Sequence, residues 1–258
     1  MKKEVQYKYI TPDLFKKRLN EAPVAYLPLG TIEWHGAHLP LGADGIQSEE
    51  LFGMLAEDVG GIVLPMLFCA PDAKKIEPDG TEYYGMDFWF EKDPDSFMAY
   101  PTQQLPGSIY YMDEDLFSAM IFSIVKQLAR AGFKLLVTHG HGPSFIWVEN
   151  HYKELEEAFH IRVITCYMHD KPEMKGYMAD HAAGNETMIT RALYPELVHM
   201  ENLPKEGWPL GMFGEDPRIV GTEENGRKLI AYHRVRMGKI IREILDGKEP
   251  ELDHWTQK

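Results

Sequence analysis

The chain has 258 residues, 44% hydrophobic and 26% charged, which is enough for one large domain with a sizeable core. Its formal net charge of −13 argues against nucleic acid as a partner, because phosphates call for clustered Lys and Arg, and it disfavours a heavily phosphorylated substrate. No run approaches the roughly 18 apolar residues of a membrane span, and Cys69 and Cys166 give neither a disulfide framework nor thiolate-ligand spacing. Met1 to Lys8 starts basic but has no apolar h-region, so a secretion signal is not expected and the default location is cytoplasmic.

In chain order, Val24 to Leu29 is a short apolar run that reads as a buried strand. Ile46 to Val59 sets Ile46, Leu51, Leu55 and Val59 apart from Glu49, Glu50, Glu57 and Asp58, an amphipathic helix stopped by Gly60-Gly61. Ile62 to Phe68 is the next strand. Ala70 to Gln104 breaks this pattern, being rich in Asp, Pro and aromatic residues such as Tyr83, Tyr84, Phe88, Trp89 and Phe90. A long irregular stretch inside a compact domain is usually functional. It is expected to form a lid or an oligomer contact within a single domain spanning 1–258. Leu116 to Ala131 is the clearest helix, with Leu116, Met120, Ile124, Val125 and Leu128 on one face. A strand at Lys134 to Thr138, a helix at Ser144 to Phe159 and a strand at Ile161 to Tyr167 follow. Asn185 to Leu193 is a short helix and Glu223 to Leu245 a long one before a polar tail. This alternation predicts an α/β fold with a mostly parallel central sheet.

Three clusters carry candidate chemistry, and two of them directly follow a predicted strand, where ligands gather in open α/β sheets. The first is Glu33-Trp34-His35-Gly36-Ala37-His38-Leu39-Pro40-Leu41-Gly42-Ala43-Asp44. Glu33 and His35 are two apart, so an extended backbone points both to one side. Asp44 has two readings: an N-cap completed by Gln47 in a capping box, or a carboxylate that joins Glu33 and His35 on divalent metal. The three together favour metal. In the second cluster, His139-Gly140-His141-Gly142, His141 is the favoured ligand and His139 a supporting or substrate-facing group. The third contains His181 and Glu186, five apart, and spacing leaves Glu186 open between a ligand and a favourable charge in a first helical turn. His38 is close enough to the first cluster to support it from outside.

These motifs resemble the creatininase (creatinine amidohydrolase) family. The first is similar to the family's Glu-x-His-Gly-x-His-Leu-Pro-Leu-Gly-x-Asp, Gly140-His141-Gly142 to its Asn-Gly-His-Gly, and His181 to Thr187 to its His-Ala-Gly-x-x-Glu-Thr. Leu105-Pro106-Gly107-Ser108-Ile109 resembles its Phe-Pro-Gly-Thr-Ile. The resemblance implies a three-layer α/β/α sandwich, a homo-oligomer (commonly a hexamer) and two divalent metal ions per chain, zinc, manganese or iron. It makes Glu33, His35, Asp44, His141 and Glu186 the metal ligands, with Asp44 bridging, and His181 the catalytic acid/base. Two departures stand out: Pro143 replaces a Glu that true creatininases carry two residues after the ligand His, and His139 replaces an Asn.

The expected function is therefore that of a metal-dependent hydrolase. Metal-activated water attacks the carbonyl of a small polar, cyclic amide and breaks a C–N bond, with creatinine itself not the expected substrate. One alternative is C–C hydrolysis opening a cyclic keto-sugar or keto-inositol. Another, from a different class, is a non-catalytic metal-binding assembly protein. The expected partner is a small molecule, with no nucleic acid and no membrane.

Overall fold

The computed structural model describes residues 3–166 and 176–252. Before the first expected strand it has a helix that the periodicity did not reveal, α1 (Pro12–Glu21). Its start is chemically plain. The Thr11 hydroxyl accepts the Leu14 N–H at 3.4 Å, and Pro12 sits where the missing N–H costs nothing. β1 (Val24–Leu29) follows as expected, then α2 (Ala43–Asp58) and β2 (Ile62–Val63). After the short β3 (Lys74–Ile76) and β4 (Glu82–Tyr84), α3 (Glu114–Ala131), β5 (Leu135–Gly140), α4 (Gly142–Phe159) and β6 (Arg162–Thr165) complete the sheet region. Tyr167, the expected end of the last strand, lies outside the described residues. α5 (Gly184–Leu193), α6 (Pro217–Val220) and α7 (Glu223–Leu245) close the chain.

Among the described residues the main sheet is parallel, in the order β2-β1-β5-β6. All six residues of β1 are buried, which is why the strand is a continuous apolar run with no alternation of polarity. Alternation appears in where the side chains go. Val24, Tyr26, Leu135, Val137 and Ile164 pack with Leu51, Phe52 and Leu55 of α2 and with α5 and α7. Ala25, Leu27, Leu29, Leu136 and Val163 face the other way, onto Phe117, Ile121 and Val125 of α3 and Trp147, Val148 and Leu155 of α4. Helices thus cover both faces, the three-layer α/β/α arrangement.

One expected strand is much shorter than the sequence reading. Ile62 to Phe68 forms a ladder only at Ile62–Val63, because Pro65 has no N–H to donate. The chain still runs beside β1, since Leu64 N donates to Tyr26 O at 2.8 Å and Leu67 N to Pro28 O at 3.1 Å.

The 70–104 segment is not featureless. It contains an antiparallel hairpin, β3 (Lys74–Ile76) with β4 (Glu82–Tyr84). Asp87 then acts as its clasp, accepting from Tyr84 N at 3.1 Å and from Leu105 N at 2.7 Å. Its aromatic tip packs on its own chain: Phe90 lies 5.6 Å from Phe213 and Phe97 5.2 Å from Trp208, centroid to centroid.

Candidate metal centre

The sheet order explains where the candidate residues meet. β1 connects to β2 on one side while β5 lies on its other side, so the chain diverges at the carboxyl ends of β1 and β5, the usual ligand crevice of an open α/β sheet. β1 delivers the loop bearing Glu33 and His35, and β5 delivers His141. Their close approach depends on Gly140, whose φ is +146°. A Cβ there would collide with the Leu29 carbonyl, the same oxygen that accepts His141 N at 2.9 Å.

Asp44 is in the first turn of α2, and the capping-box reading does not hold. The helix is preceded by Gly42 without a side-chain cap, and the Gln47 side chain donates instead to Thr190 Oγ1 of α5 at 3.1 Å. Asp44 is left free to face the crevice. Glu186 is likewise in the first turn of α5, but the capping is done by Asp180, which accepts Asn185 N at 2.7 Å and Glu186 N at 3.1 Å. Glu186 Oε2 accepts Ala182 N at 2.7 Å.

The structure brings all five sequence-predicted donors together with His181. His35 Nε2 lies 3.3 Å from Asp44 Oδ1 and 3.6 Å from Glu186 Oε2. His141 Nδ1 lies 3.1 Å from Glu33 Oε1 and 3.2 Å from Asp44 Oδ2. Two compact groups result, Glu33–Asp44–His141 and His35–Asp44–Glu186, each with donor atoms within 4.8 Å of one another. They share Asp44, one carboxylate oxygen to each. A third group within the same distance joins Glu33, His35 and His181.

Donor chemistry fits divalent cations. Glu33, His35, Asp44, His141 and Glu186 are each 3% exposed or less, and no Lys or Arg among the described residues pairs with their carboxylates. Glu33 Oε1 and the Nε2 atoms of His35 and His141 are buried without a hydrogen bond. Such a set is costly to bury unless something cationic pairs with it. Protons respond to the same pressure. Burial pushes His35 down, but Asp44, Glu186 and Glu33 more than offset it and raise the imidazole to about 10. Burial likewise opposes protonation of His141, and Glu33, Asp44 and Asp72 outweigh it, raising it well above the usual range. For Glu186 burial, reinforced by Asp44, raises the carboxyl. All three shifts favour the protonated form, the direction in which a buried, carboxylate-rich set draws in positive charge.

His181 is the most exposed of the six and the only one held by a backbone carbonyl through its Nε2. Its backbone pairs with Phe213 in both directions, at 2.8 and 3.0 Å, outside α5. Its Nε2–H donates to Trp34 O at 2.7 Å, which leaves Nδ1 as the lone-pair nitrogen, 3.8 Å from Glu33 Oε1. Its ring lies 4.6 Å from that of His35. Burial, then the neighbouring His35, pushes it down to about 3, so it is neutral at ordinary pH. Its side chain keeps 17% exposure, more than any of the five donors, and the Phe213 ring, on the residue its backbone pairs with, packs with Trp89 and Phe90.

Two supporting histidines have other duties. His139 is fully buried below the site and donates to Tyr177 O at 2.8 Å, packed against Phe145 and Tyr177, so it faces the core and not a substrate. His38 bonds Thr187 Oγ1 at 2.8 Å, tying the first motif to α5. The sequence reading missed Asp72, whose Oδ2 lies 3.4 Å from His141 Nε2, and Tyr111, whose hydroxyl reaches Glu33 Oε2 at 3.5 Å. Neither sits in a motif. The one clue to Asp72 was its place just past the carboxyl end of a predicted strand.

Among solved structures, the fold is similar to that of creatinine amidohydrolase (creatininase), with a TM-score of 0.66 at 21% identity over 96% of this chain and 99% of that one. A manganese form of creatininase superposes with a TM-score of 0.64 at 22% identity, over 93% of this chain and 98% of the other. In sequence, a creatinine amidohydrolase from Pseudomonas putida is 23% identical over 218 residues, 75% of each chain. The family model described as creatinine amidohydrolase matches residues 8–88 and 94–230, a span that contains every donor at the crevice. The protein belongs to the creatininase family.

Proposed function

We propose that this protein is a di-metal hydrolase that breaks the C–N bond of a small, polar, uncharged cyclic amide. The observation that carries the proposal is the placement of Asp44, one carboxylate oxygen in each of two buried donor groups. Glu33, Asp44 and His141 would hold one ion, and His35, Asp44 and Glu186 the other. Divalent ions bound there would polarise a carbonyl oxygen and acidify a water molecule.

The rest falls to the chain. Trp34 O fixes the tautomer of His181, so Nδ1 is the atom that accepts a proton inside the crevice and returns it to the departing nitrogen. Burial and the neighbouring His35 keep the ring neutral at ordinary pH, so the Nδ1 lone pair is free at the start of a cycle. Charge points to the substrate class. The carboxylates of Glu33, Asp44, Asp72 and Glu186 formally balance two dications, and no Lys or Arg among the described residues pairs with them. An uncharged carbonyl compound suits that balance better than a phosphorylated one.

The deciding experiment is metal analysis by mass spectrometry on protein purified without added metal or chelator, beside a His35→Ala/Asp44→Ala double variant. About two equivalents per chain, lost in the folded variant, support the proposal. Metal-free protein that also takes up neither zinc nor manganese overturns it and favours a binding role. A panel of cyclic amides scored for amine release then tests the bond. Release of an open-chain keto acid from cyclic keto-sugars, with no amine from any amide, would move the assignment to C–C cleavage.

A further inference from the structure

We infer that Asp72 is a positioning residue that orients His141 for one of the two ions, and this rests on the di-metal reading above. His141 has to divide its two nitrogens. Nδ1 is the one that faces Glu33 Oε1 and Asp44 Oδ2, at 3.1 and 3.2 Å. An ion held by Nδ1 needs the lone pair there, so the ring proton has to reside on Nε2 and find an acceptor. Nε2 is buried, makes no direct hydrogen bond, and has as its ionic partner Asp72 Oδ2, 3.4 Å away. Asp72 belongs to none of the groups whose donor atoms converge within 4.8 Å. It therefore stands behind the imidazole and acts through it.

Several parts of the surrounding chain hold that carboxylate in place. Its Oδ1 accepts Ala73 N at 2.7 Å, and Ala73 O accepts Gly85 N at 2.9 Å. Two residues earlier, Ala70 is bonded on both sides, donating to Tyr110 O at 3.3 Å and accepting Met112 N at 2.9 Å. Gly85 has φ +52°, and a Cβ there would collide with Asp72 Oδ2, so this position admits the carboxylate only as glycine. The side chain is 8% exposed. A carboxylate this buried, pinned at one oxygen and turned toward a histidine at the other, is the arrangement by which outer groups fix ring plane and tautomer at metal sites. The 70–104 segment thereby contributes to the centre from its very start. The His35–Asp44–Glu186 position has no such dependence, because Glu186 is fixed by Ala182 N and the cap of α5.

The test compares two near-isosteric variants that both remove the charge: Asp72→Leu, which has no acceptor, and Asp72→Asn, which keeps one. Mn2+ and Zn2+ affinities are read against a chromophoric chelator, with thermal unfolding of the metal-free proteins as the check on folding. Asp72→Leu is expected to weaken one ion by about 10- to 100-fold and leave the other unchanged, with a smaller loss in Asp72→Asn. In a His141→Ala background Asp72→Leu should add nothing. In a Glu186→Gln background it should show its full effect. Equal losses in Asp72→Leu and Asp72→Asn, a loss added on top of His141→Ala, or two ions bound as tightly as in the parent would each overturn the inference. The last result leaves the di-metal proposal standing, whereas a parent protein that binds neither metal removes both.

Discussion

The two donor groups share Asp44 and are built from different materials. In His35–Asp44–Glu186 two of the three donors open helices, Asp44 in α2 and Glu186 in α5, tied by Gln47 to Thr190, while His35 comes from the same loop as Glu33. Glu33–Asp44–His141 rests on the ends of two strands, a glycine that lets them touch, and a loop carboxylate behind the imidazole. A helix start is a rigid platform that fixes its side chains through its own hydrogen bonds. Loop-borne donors depend on longer-range support. One position of the pair should therefore be robust and the other tunable.

Removing what they share should have the largest effect. Asp44→Ala is expected to release both ions and reduce hydrolysis to background, seen by mass-spectrometric metal content beside turnover; retention of one full equivalent would mean that Asp44 serves a single position. Next, His181→Ala should leave metal content intact and cost about 10²- to 10⁴-fold in kcat, the scale of a lost proton shuttle. If His181→Ala instead loses an ion, the group it forms with Glu33 and His35 is a ligand set.

A third prediction concerns protons. His35 is raised to about 10 without metal, so below that pH an entering cation has to displace a proton. Affinity should accordingly fall as the pH falls, about tenfold per unit for each proton released. Calorimetry in buffers of different ionisation enthalpy counts those protons directly. No release at pH 7 would show that His35 is already neutral.

The smallest effect lies beneath the site. Burial, partly opposed by the bond to Tyr177 O, pushes His139 down to about 4. The unfolded chain binds the proton first, at about 6.5, so this contribution to stability is complete above that value and diminishes as pH falls toward 4. Between pH 7 and pH 5 the loss is about 2 kcal/mol, which urea unfolding of the metal-loaded protein can measure. His139→Gln should flatten that slope; an unchanged slope would place the titration elsewhere, with His38, also lowered to about 4, next in line.

Much of this molecule was legible in the chain because its signals are short-range. Continuous apolar runs marked β1 and β5, and the period of Leu116 to Ala131 marked α3, although its buried face is Phe117, Ile121, Val125 and Leu128 and Leu116 is exposed. The candidate donors stood in compact motifs, two of the three placed directly after strands. Misreadings came where a single atom or distant partner decides. Pro65 ended β2 after two residues, and α1, opened by Thr11 and Pro12 and packing Phe15 and Leu19 on the core, was not read from the chain. Asp44 satisfies both a capping pattern and a ligand pattern, and only the packing of Gln47 on Thr190 separates them.

By itself, then, the sequence determined the α/β alternation, the family and which side chains are the candidate donors, since these follow from local pattern and residue chemistry. Tertiary structure alone decided that Asp44 spans two groups, that Trp34 O sets the tautomer of His181, that His139 faces the core, and that Asp72 stands behind His141. Each of those depends on residues far apart in the chain meeting within about 4 Å, a distance fixed by strand order and the close approach of β1 to β5. No local pattern carries that information.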